Sequence, residues 1–421
     1  MRANLTPDME LAERLLTGLH DATFDGVGVT REAYGPGEQI GHDMARAAAE
    51  AMGLECRVDA AGNMLMTLPG RDRAAPRIVL GSHLDSVPQG GDYDGAAGVF
   101  AGLAVLSGLQ RGGFRPARYV TVLAIRAEEG GAWFPAGLPG SRAALGRLPA
   151  EALQSRRQDS GRTMEDHMRE AGFDPDAVAR GETLLPPASI AAYLELHIEQ
   201  GPVLEAEGIP LGIVTGLPGV RRMREGRVSG EYNHSGATPR KYRADAGMAL
   251  AELAYRLDDY WARLDAMGRR LVVTFCVMGT TEGAGFTKVP GEARFQLDVR
   301  SVEPENLERV TAELDRLVAQ IEARRGVQFD LGPRLGGNGA PMAQAVRDGL
   351  ARAADAVGVA WRAMPSGGGH DAASFANAGV PSGMLFVRNQ NGSHNPDEAM
   401  RMDDLAAGCS VMLRWVEDVA V

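Results

Sequence analysis

His83 and Asp85 stand two residues apart, just past the apolar run 77–80, and Asp94 follows where a helix should begin. Adjacent carboxylates occur at Glu128 and Glu129, and histidines at His197 and His394, each just past another strand-like run. A divalent cation of borderline or hard character binds imidazole nitrogens and carboxylate oxygens gathered from several strand ends. The sequence supplies both donor types in that pattern, which implies a hydrolase built around two metal ions.

Singly, each residue has a plainer explanation. His83 could be a loop histidine bonded to backbone, and Asp94 could cap the helix expected over 95–109, since Asp is a favoured cap. Glu128 and Glu129 could form a solvated strand end, His197 could face outward from a strand, and His394 could belong to a turn. Two points weigh against these readings together. Asp85 offers the acceptor that a metal-bound imidazole needs for its other ring N–H. Two acids at one strand mouth repel each other unless a cation lies between them.

Around these residues the chain becomes familiar. Gly81-Ser-His-Leu-Asp-Ser, Gly91-Asp-Tyr-Asp-Gly-Ala, Glu128-Glu-Gly, Glu195-Leu-His-Ile-Glu-Gln-Gly-Pro-Val-Leu-Glu205, Asn233-His-Ser-Gly-Ala-Thr-Pro239, Ser366-Gly-Gly-Gly-His-Asp-Ala372 and Gly392-Ser-His-Asn-Pro are the strings concerned. Across nearly its whole length the sequence resembles the zinc-dependent amidohydrolases that include N-carbamoyl-L-amino-acid hydrolase, allantoate amidohydrolase and β-ureidopropionase. These form a branch of the aminoacylase and carboxypeptidase superfamily. The His-Ile-Glu-Gln-Gly and Ser-Gly-x-Gly-His-Asp-Ala strings are specific to that branch, whereas the His-x-Asp and Glu-Glu pairs belong to the superfamily at large.

The resemblance implies two divalent ions per subunit, zinc or else manganese, cobalt or nickel. His83 and His197 would hold one, Glu129 and His394 the other, with Asp94 bridging them and Asp85 behind His83. Glu128 would be the general base and His234 a donor to the oxyanion, although His234 could also be a plain turn histidine. Arg300 would bind a substrate carboxylate in bidentate fashion, as Lys cannot. Its alternative is an ion pair with Asp298 or Glu303. Gln200 would contact a ureido group, and Gly367, Gly368 and Gly369 would let backbone approach the substrate. His370 and Asp371 form either a hydrogen-bonded pair behind the metal site or the start of a helix over 372–378.

Three departures bear on the substrate. Thr287 stands where relatives carry an Asn that touches substrate, Gly131-Ala-Trp-Phe134 replaces a usual Ser-Arg-Phe stretch, and Arg240 stands where Met is usual. The expected reaction is hydrolysis of a linear C–N amide, the carbamoyl group of an N-carbamoyl-L-amino acid or a related ureido acid, releasing amino acid, CO2 and ammonia. Allantoate hydrolysis, or aminoacylase or dipeptidase activity on the same metals, are the alternatives. A metal-stabilised binding protein is a further one, against which Glu128 speaks, because a binding module has no use for the base.

Composition narrows the partners. A net charge of −11 argues against nucleic acid, which needs a basic surface, and leaves capture of an anionic substrate to local arginines. Three cysteines, Cys56, Cys276 and Cys409, show no paired or metal-type spacing, which favours a reducing compartment. The first ten residues lack the apolar core of a signal peptide. No apolar run approaches the ~20 residues of a membrane span. A cytoplasmic protein is expected, with a small-molecule ureido or acyl amino acid substrate, no membrane and no nucleic acid partner.

The elements that must position the site follow from periodicity. A first amphipathic helix is marked by Leu11, Leu15, Leu16 and Leu19, and a second is expected over 40–52. Strands are expected over 54–59, 64–68, 77–80 and 119–126, with a helix over 95–109 between the last two. The alternation predicts an α/β sheet with ligands beyond the strand carboxyl ends, and the resemblance implies a catalytic domain of di-metal aminopeptidase type. The stretch 142–180 reads as short surface helices and loops, with His167, like His20 and His42, facing solvent. From about residue 212 a β-α-β-β-α-β order appears, the ferredoxin-like unit. It predicts a catalytic domain of 1–211 and 334–421, interrupted by an inserted ferredoxin-like lid over 212–333. The resemblance adds that this lid forms a homodimer interface.

Overall fold

The computed structural model describes residues 5–421, so residues 1–4 of the stretch read as lacking a signal core lie outside the described residues. The chain forms two compact units. The first comprises the chain up to Thr215 together with Met342–Met364 and Gly369–Val421; the second comprises Gly216–Pro341 and Pro365–Gly368.

In the first unit six strands come early: β1 Glu55–Val58, β2 Met64–Leu68, β3 Arg77–His83, β4 Val120–Ile125, β5 Ile190–Ile198 and β6 Leu211–Val214. With Trp361–Met364 and Ser382–Val387 they build an eight-stranded mixed sheet in the order β1, β2, β4, β3, β5, Ser382–Val387, β6, Trp361–Met364. Its centre is parallel: β3 runs alongside β4 and β5, and β5 alongside Ser382–Val387. These four strands are almost wholly buried, as their Val, Ile and Leu runs require of strands covered on both faces. Their carboxyl ends therefore point the same way and deliver His83, the 127–129 segment, His197 and the 388–394 loop to one edge.

Helices α2 Pro36–Ala51 and α3 Ala96–Arg111 pack on the sheet, and α1 Met9–Thr23 packs on both helices. α3 is apolar all round and buried over nearly its full length, as a helix without a polar face must be. Gly98 permits this packing, since a Cβ there would lie 2.2 Å from the Leu196 carbonyl oxygen. α2 begins four residues before its expected start at residue 40, because Pro36 sits in its first turn, where a missing N–H costs nothing.

Two histidines read as solvent-facing are buried. His42 is 3% exposed on the inner face of α2, beside Glu38 and Ala45. His167, 5% exposed, sits edge-on to Phe134 and bonds Ser160 Oγ. The third, His20, is partly exposed and pairs with Asp92 at 2.8 Å.

The second unit has its own antiparallel sheet in the order Val272–Thr280, Glu292–Ser301, Gly219–Ser229, Gln328–Asp330. Helices Ala246–Ala266 and Pro304–Arg325 pack on one face through Leu250, Leu253, Leu257, Leu307, Leu314 and Leu317. In chain order this is β-α-β-β-α-β. Arg334–Leu335, near the expected return to the first domain, adds a further pairing to Gly219–Ser229 in this sheet. Among the described residues no helix is long and apolar enough to cross a membrane.

Candidate metal centre

Five side chains converge at the carboxyl edge of the first unit's sheet. They form two donor groups, His83 with Asp94 and His197, and Asp94 with Glu129 and His394, each with its atoms within 4.8 Å of one another. Asp94 belongs to both. One of its oxygens, Oδ1, lies 3.2 Å from His197 Nε2 and 3.5 Å from His83 Nε2, while Oδ2 lies 3.4 Å from His394 Nε2. Glu129 Oε1 is 3.1 Å from His394 Nε2.

The ring orientations are set from behind. His83 Nδ1 faces the Asp85 carbonyl at 3.1 Å and the Asp85 carboxylate at 3.3 Å, and His197 Nδ1 faces the Ile198 carbonyl at 2.9 Å. Both Nδ1 atoms are thereby donors, so both Nε2 atoms present lone pairs, and they face each other at 3.4 Å. Two lone pairs so close need a cation between them. Asp94 Oδ1 is also buried without a hydrogen-bond partner. Imidazole and carboxylate donors arranged this way fit divalent ions.

Backbone strain gathers here too. Ala127, Gln200 and His394 adopt positive φ (57°, 64° and 60°), a conformation that costs non-glycine residues and tends to mark functional sites. Gly95, at φ 67°, is obligatory for another reason: a Cβ there would lie 2.4 Å from the His83 ring. The Asp94-Gly95 pair thus sets a carboxylate against an imidazole with no intervening side chain.

Asp85 organises the opposite wall. Its Oδ1 accepts the Glu128 N–H at 3.0 Å and its Oδ2 the Glu129 N–H at 2.9 Å. Glu128 Oε2 lies 3.9 Å from His83 Nε2. Burial pushes the Glu128 carboxyl well above its ordinary range; His83 opposes this, and Glu129, Asp371 and Asp85 reinforce it. Asp94 behaves oppositely: burial would raise it, but the imidazoles of His197, His394 and His83 hold it well below. Carboxyls driven apart in this way mark sites of acid–base or metal chemistry.

Gln200 donates to Asp94 Oδ2 at 2.7 Å, so its amide braces the shared carboxylate. His370 stacks at an angle on His197, with ring centroids 4.4 Å apart, and its Nε2 has no partner. Asp371 is buried beside Glu195 and pushed up to about 8, by burial first and by Glu195 next. Both neighbours precede the helix Ala372–Asn377, whose first N–H bonds Glu195 Oε2 at 2.8 Å.

Two supporting residues escaped the sequence reading. Glu398 Oε1 accepts the N–H groups of Tyr93 and Asp94, and its Oε2 accepts Ser393 Oγ–H, while Ser393 Oγ also lies 2.8 Å from Asp94 Oδ2. An acid four residues past His394 was the available signal. Glu195, two residues before His197 and so on the same strand face, could have been found by period alone.

The remaining site residues are placed as follows. Gly369 is in the first unit; His234, Thr287, Arg300, Gly367 and Gly368 are in the second. His234 Nδ1 accepts N–H groups from Gly236 and Ala237, both at 3.1 Å. Its partner across the short ladder is Lys288, and the Thr287 carbonyl accepts the Ser235 N–H. Of the two acids open to Arg300, Asp298 is the one it meets, with Nε and Nη2 at 2.9 and 2.8 Å from Oδ2, while Nη1 reaches the Gly367 carbonyl at 3.0 Å. Gly368 N–H bonds Ser366 Oγ, and a Cβ at Gly367 or Gly369 would meet nothing within 4 Å. The Gly131–Phe134 departure is structural: Trp133 is buried and its indole N–H bonds the Ser86 carbonyl at 2.8 Å.

The chain is similar to known proteins over nearly its whole length. The chain is 33% identical over 412 residues to an N-carbamoyl-L-amino-acid amidohydrolase of Paenarthrobacter aurescens, covering 96% of each chain. It is 33% identical over 397 residues to an allantoate amidohydrolase of Escherichia coli, covering 93% of each. A hydantoinase/carbamoylase family amidase from Burkholderia ambifaria superposes with a TM-score of 0.88 at 31% identity, covering 99% of this chain and 98% of that one. Residues 79–418, which span every ligand candidate, match peptidase family M20/M25/M40, and the chain belongs to that family.

Proposed function

We propose that this protein is an amidohydrolase that cleaves a linear C–N amide, the carbamoyl group of an N-carbamoyl-L-amino acid or a related ureido acid, with two divalent ions per subunit. The observation that carries the reading is the membership of Asp94 in both donor groups. His83, His197 and Asp94 would hold one ion; Asp94, Glu129 and His394 would hold the other. Bound there, such a pair lowers the pKa of a shared water and polarises the carbonyl under attack.

The chain's own residues supply the rest. Glu128 takes the proton of the attacking water and returns it to the departing nitrogen, so that ammonia leaves and the carbamate left behind loses CO2. His234 accepts two backbone N–H groups at Nδ1, which leaves its ring proton on Nε2, free to donate to an oxyanion. Arg300 presents its fork to the substrate carboxylate, and Gln200 and Thr287 offer polar contacts. The second unit serves as lid and dimerisation domain of a cytoplasmic homodimer.

Ammonia release across carbamoyl, formyl, acyl and ureido acids, allantoate included, tests the substrate class. Release from carbamoyl or ureido acids is expected, and free amino acid from acyl or peptide substrates alone would replace the reading with an aminoacylase or dipeptidase. Similarity to an allantoate amidohydrolase at the same identity makes allantoate the second reading. In the same assay Arg300→Lys should weaken acids by roughly tenfold or more, the cost of a lost charged hydrogen bond, and spare the corresponding neutral amides. An equal loss for both would reduce Arg300 to its ion pair with Asp298.

In that homodimer His234 would complete the neighbouring subunit's site, and this sharing has its own test. Glu128→Gln and His234→Ala subunits, each inactive, are mixed under conditions of subunit exchange. Heterodimers should regain at most about half of wild-type activity, one complete site of two, because the His234→Ala subunit borrows its neighbour's histidine. If heterodimers form by native mass spectrometry and nothing is regained, His234 does not serve the neighbouring subunit.

A further inference from the structure

We propose that the helix-free face of the second unit's sheet carries a site for a small polyvalent oxyanion, held by Arg224, Arg227 and Arg294. The three side chains line one cleft of about 330 Å³ together with Gln296 and Val277. None of these residues belongs to the proposed hydrolytic site.

Pairing sets these arginines apart from their neighbours. Arg222 and Arg300 both meet Asp298, and Arg334 meets Asp315. Among the described residues Arg224, Arg227 and Arg294 make no ion pair, and Glu225, the acid in the same lining, pairs with none of them. Arg227 stands directly across the ladder from Arg294. Like charges in directly opposed positions destabilise a sheet, so the pair is a cost that an anion between them would turn to a gain. The side chains cannot relieve this by turning inward, because Val228, Ala293 and Phe295 fill the helix-covered face.

The backbone is shaped at the same place. Both ladders that flank Gln296 slip register there, between Phe295 and Leu297 on one side and between Phe275 and Val277 on the other. Bulges of this kind re-aim side chains and collect beside functional sites. Gly226 makes the bend possible, since a Cβ would lie 2.6 Å from the Phe295 ring. A guanidinium fork matches the oxygens of a carboxylate or phosphate, and three forks around one small cleft call for at least two negative charges on the ligand. On a chain of net charge −11 such a concentration of unpaired cations also runs against the overall field.

Titration calorimetry of the full-length, metal-loaded protein at low ionic strength, with inorganic phosphate and separately with succinate, tests the site. Saturable binding of one anion per chain is expected beyond any anion taken by the metal centre or Arg300, phosphate marking a phosphoryl ligand and succinate a dicarboxylate. Arg227→Gln with Arg294→Gln should weaken it roughly tenfold or more, whereas Arg57→Gln, an exposed arginine of β1, should leave it unchanged. The bound anion should raise the melting temperature of the wild type and not that of the double variant. Absence of saturable heat with both probes, or a double variant that binds as many anions as tightly as the wild type, overturns the proposal. A double variant that melts below the wild type would show the arginines to be structural and overturn it equally.

Discussion

Exhaustive chelation is expected to abolish turnover, and zinc, manganese, cobalt or nickel should restore it to differing extents. The reason lies in what the site contains before any ion is added. His83 and His197 aim two imidazole lone pairs at one point, and Asp94 Oδ1 is buried there without a partner. Burial disfavours charge on each of these groups, so the arrangement is stable only with a cation to share. A proton can answer part of that demand: His394, drawn by Asp94 and Glu129, is raised to about 10. A proton cannot orient water or polarise a carbonyl. Because mixed imidazole and carboxylate sites accept several first-row metals, restoration should not be confined to zinc. Elemental analysis should find two ions per active chain, and the stripped protein should melt at lower temperature, since ions that bind only the native state add to its stability. Undiminished activity in protein shown by that analysis to be metal-free would refute the two-metal reading.

How much of this was legible in the sequence depended on range. His83, Glu128, Glu129, His197 and His394 could be read because each follows an apolar run, and Asp94 because it stands where a helix begins; an α/β sheet gathers such residues past its strand ends. The helices of the second unit were legible for the same local reason: Leu250, Leu253 and Leu257, or Leu307, Leu314 and Leu317, recur at helical spacing. What stayed hidden was set by partners far along the chain. Glu398 reaches back 304 residues to the Asp94 N–H, and its place four residues past His394 does not show that bond. Arg126 and Glu38 form a buried pair 88 residues apart, in which Glu38 also accepts the Ala127 N–H and so fixes the start of the Glu128 loop. His167 misled for the complementary reason. A polar residue among charged neighbours looks solvated, and only the packing of Phe134 against its ring puts it inside.

Glu128→Gln is expected to leave metal content nearly intact while lowering kcat by roughly 10²–10⁴-fold, the usual contribution of a positioned general base. The geometry separates the two adjacent glutamates. Asp85 grips the backbone N–H of each, so neither side chain is needed to hold the loop. Glu129 turns its carboxylate to His394 at 3.1 Å, within the second donor group. Glu128 belongs to neither group; its closest imidazole is His83, at 3.9 Å. Its environment resists the charged form, with Glu129, Asp371 and Asp85 all adding to the effect of burial. A neutral amide of the same shape therefore relieves repulsion, and the variant should melt no lower than the wild type. What the amide lacks is a site for the water's proton. Glu129→Gln should show the contrary profile, losing metal from the Asp94, Glu129 and His394 group before any question of proton transfer arises. Metal analysis and kcat measured on both variants thus distinguish the roles: metal lost from Glu128→Gln and kept in Glu129→Gln would mean that the ligand and the base are exchanged.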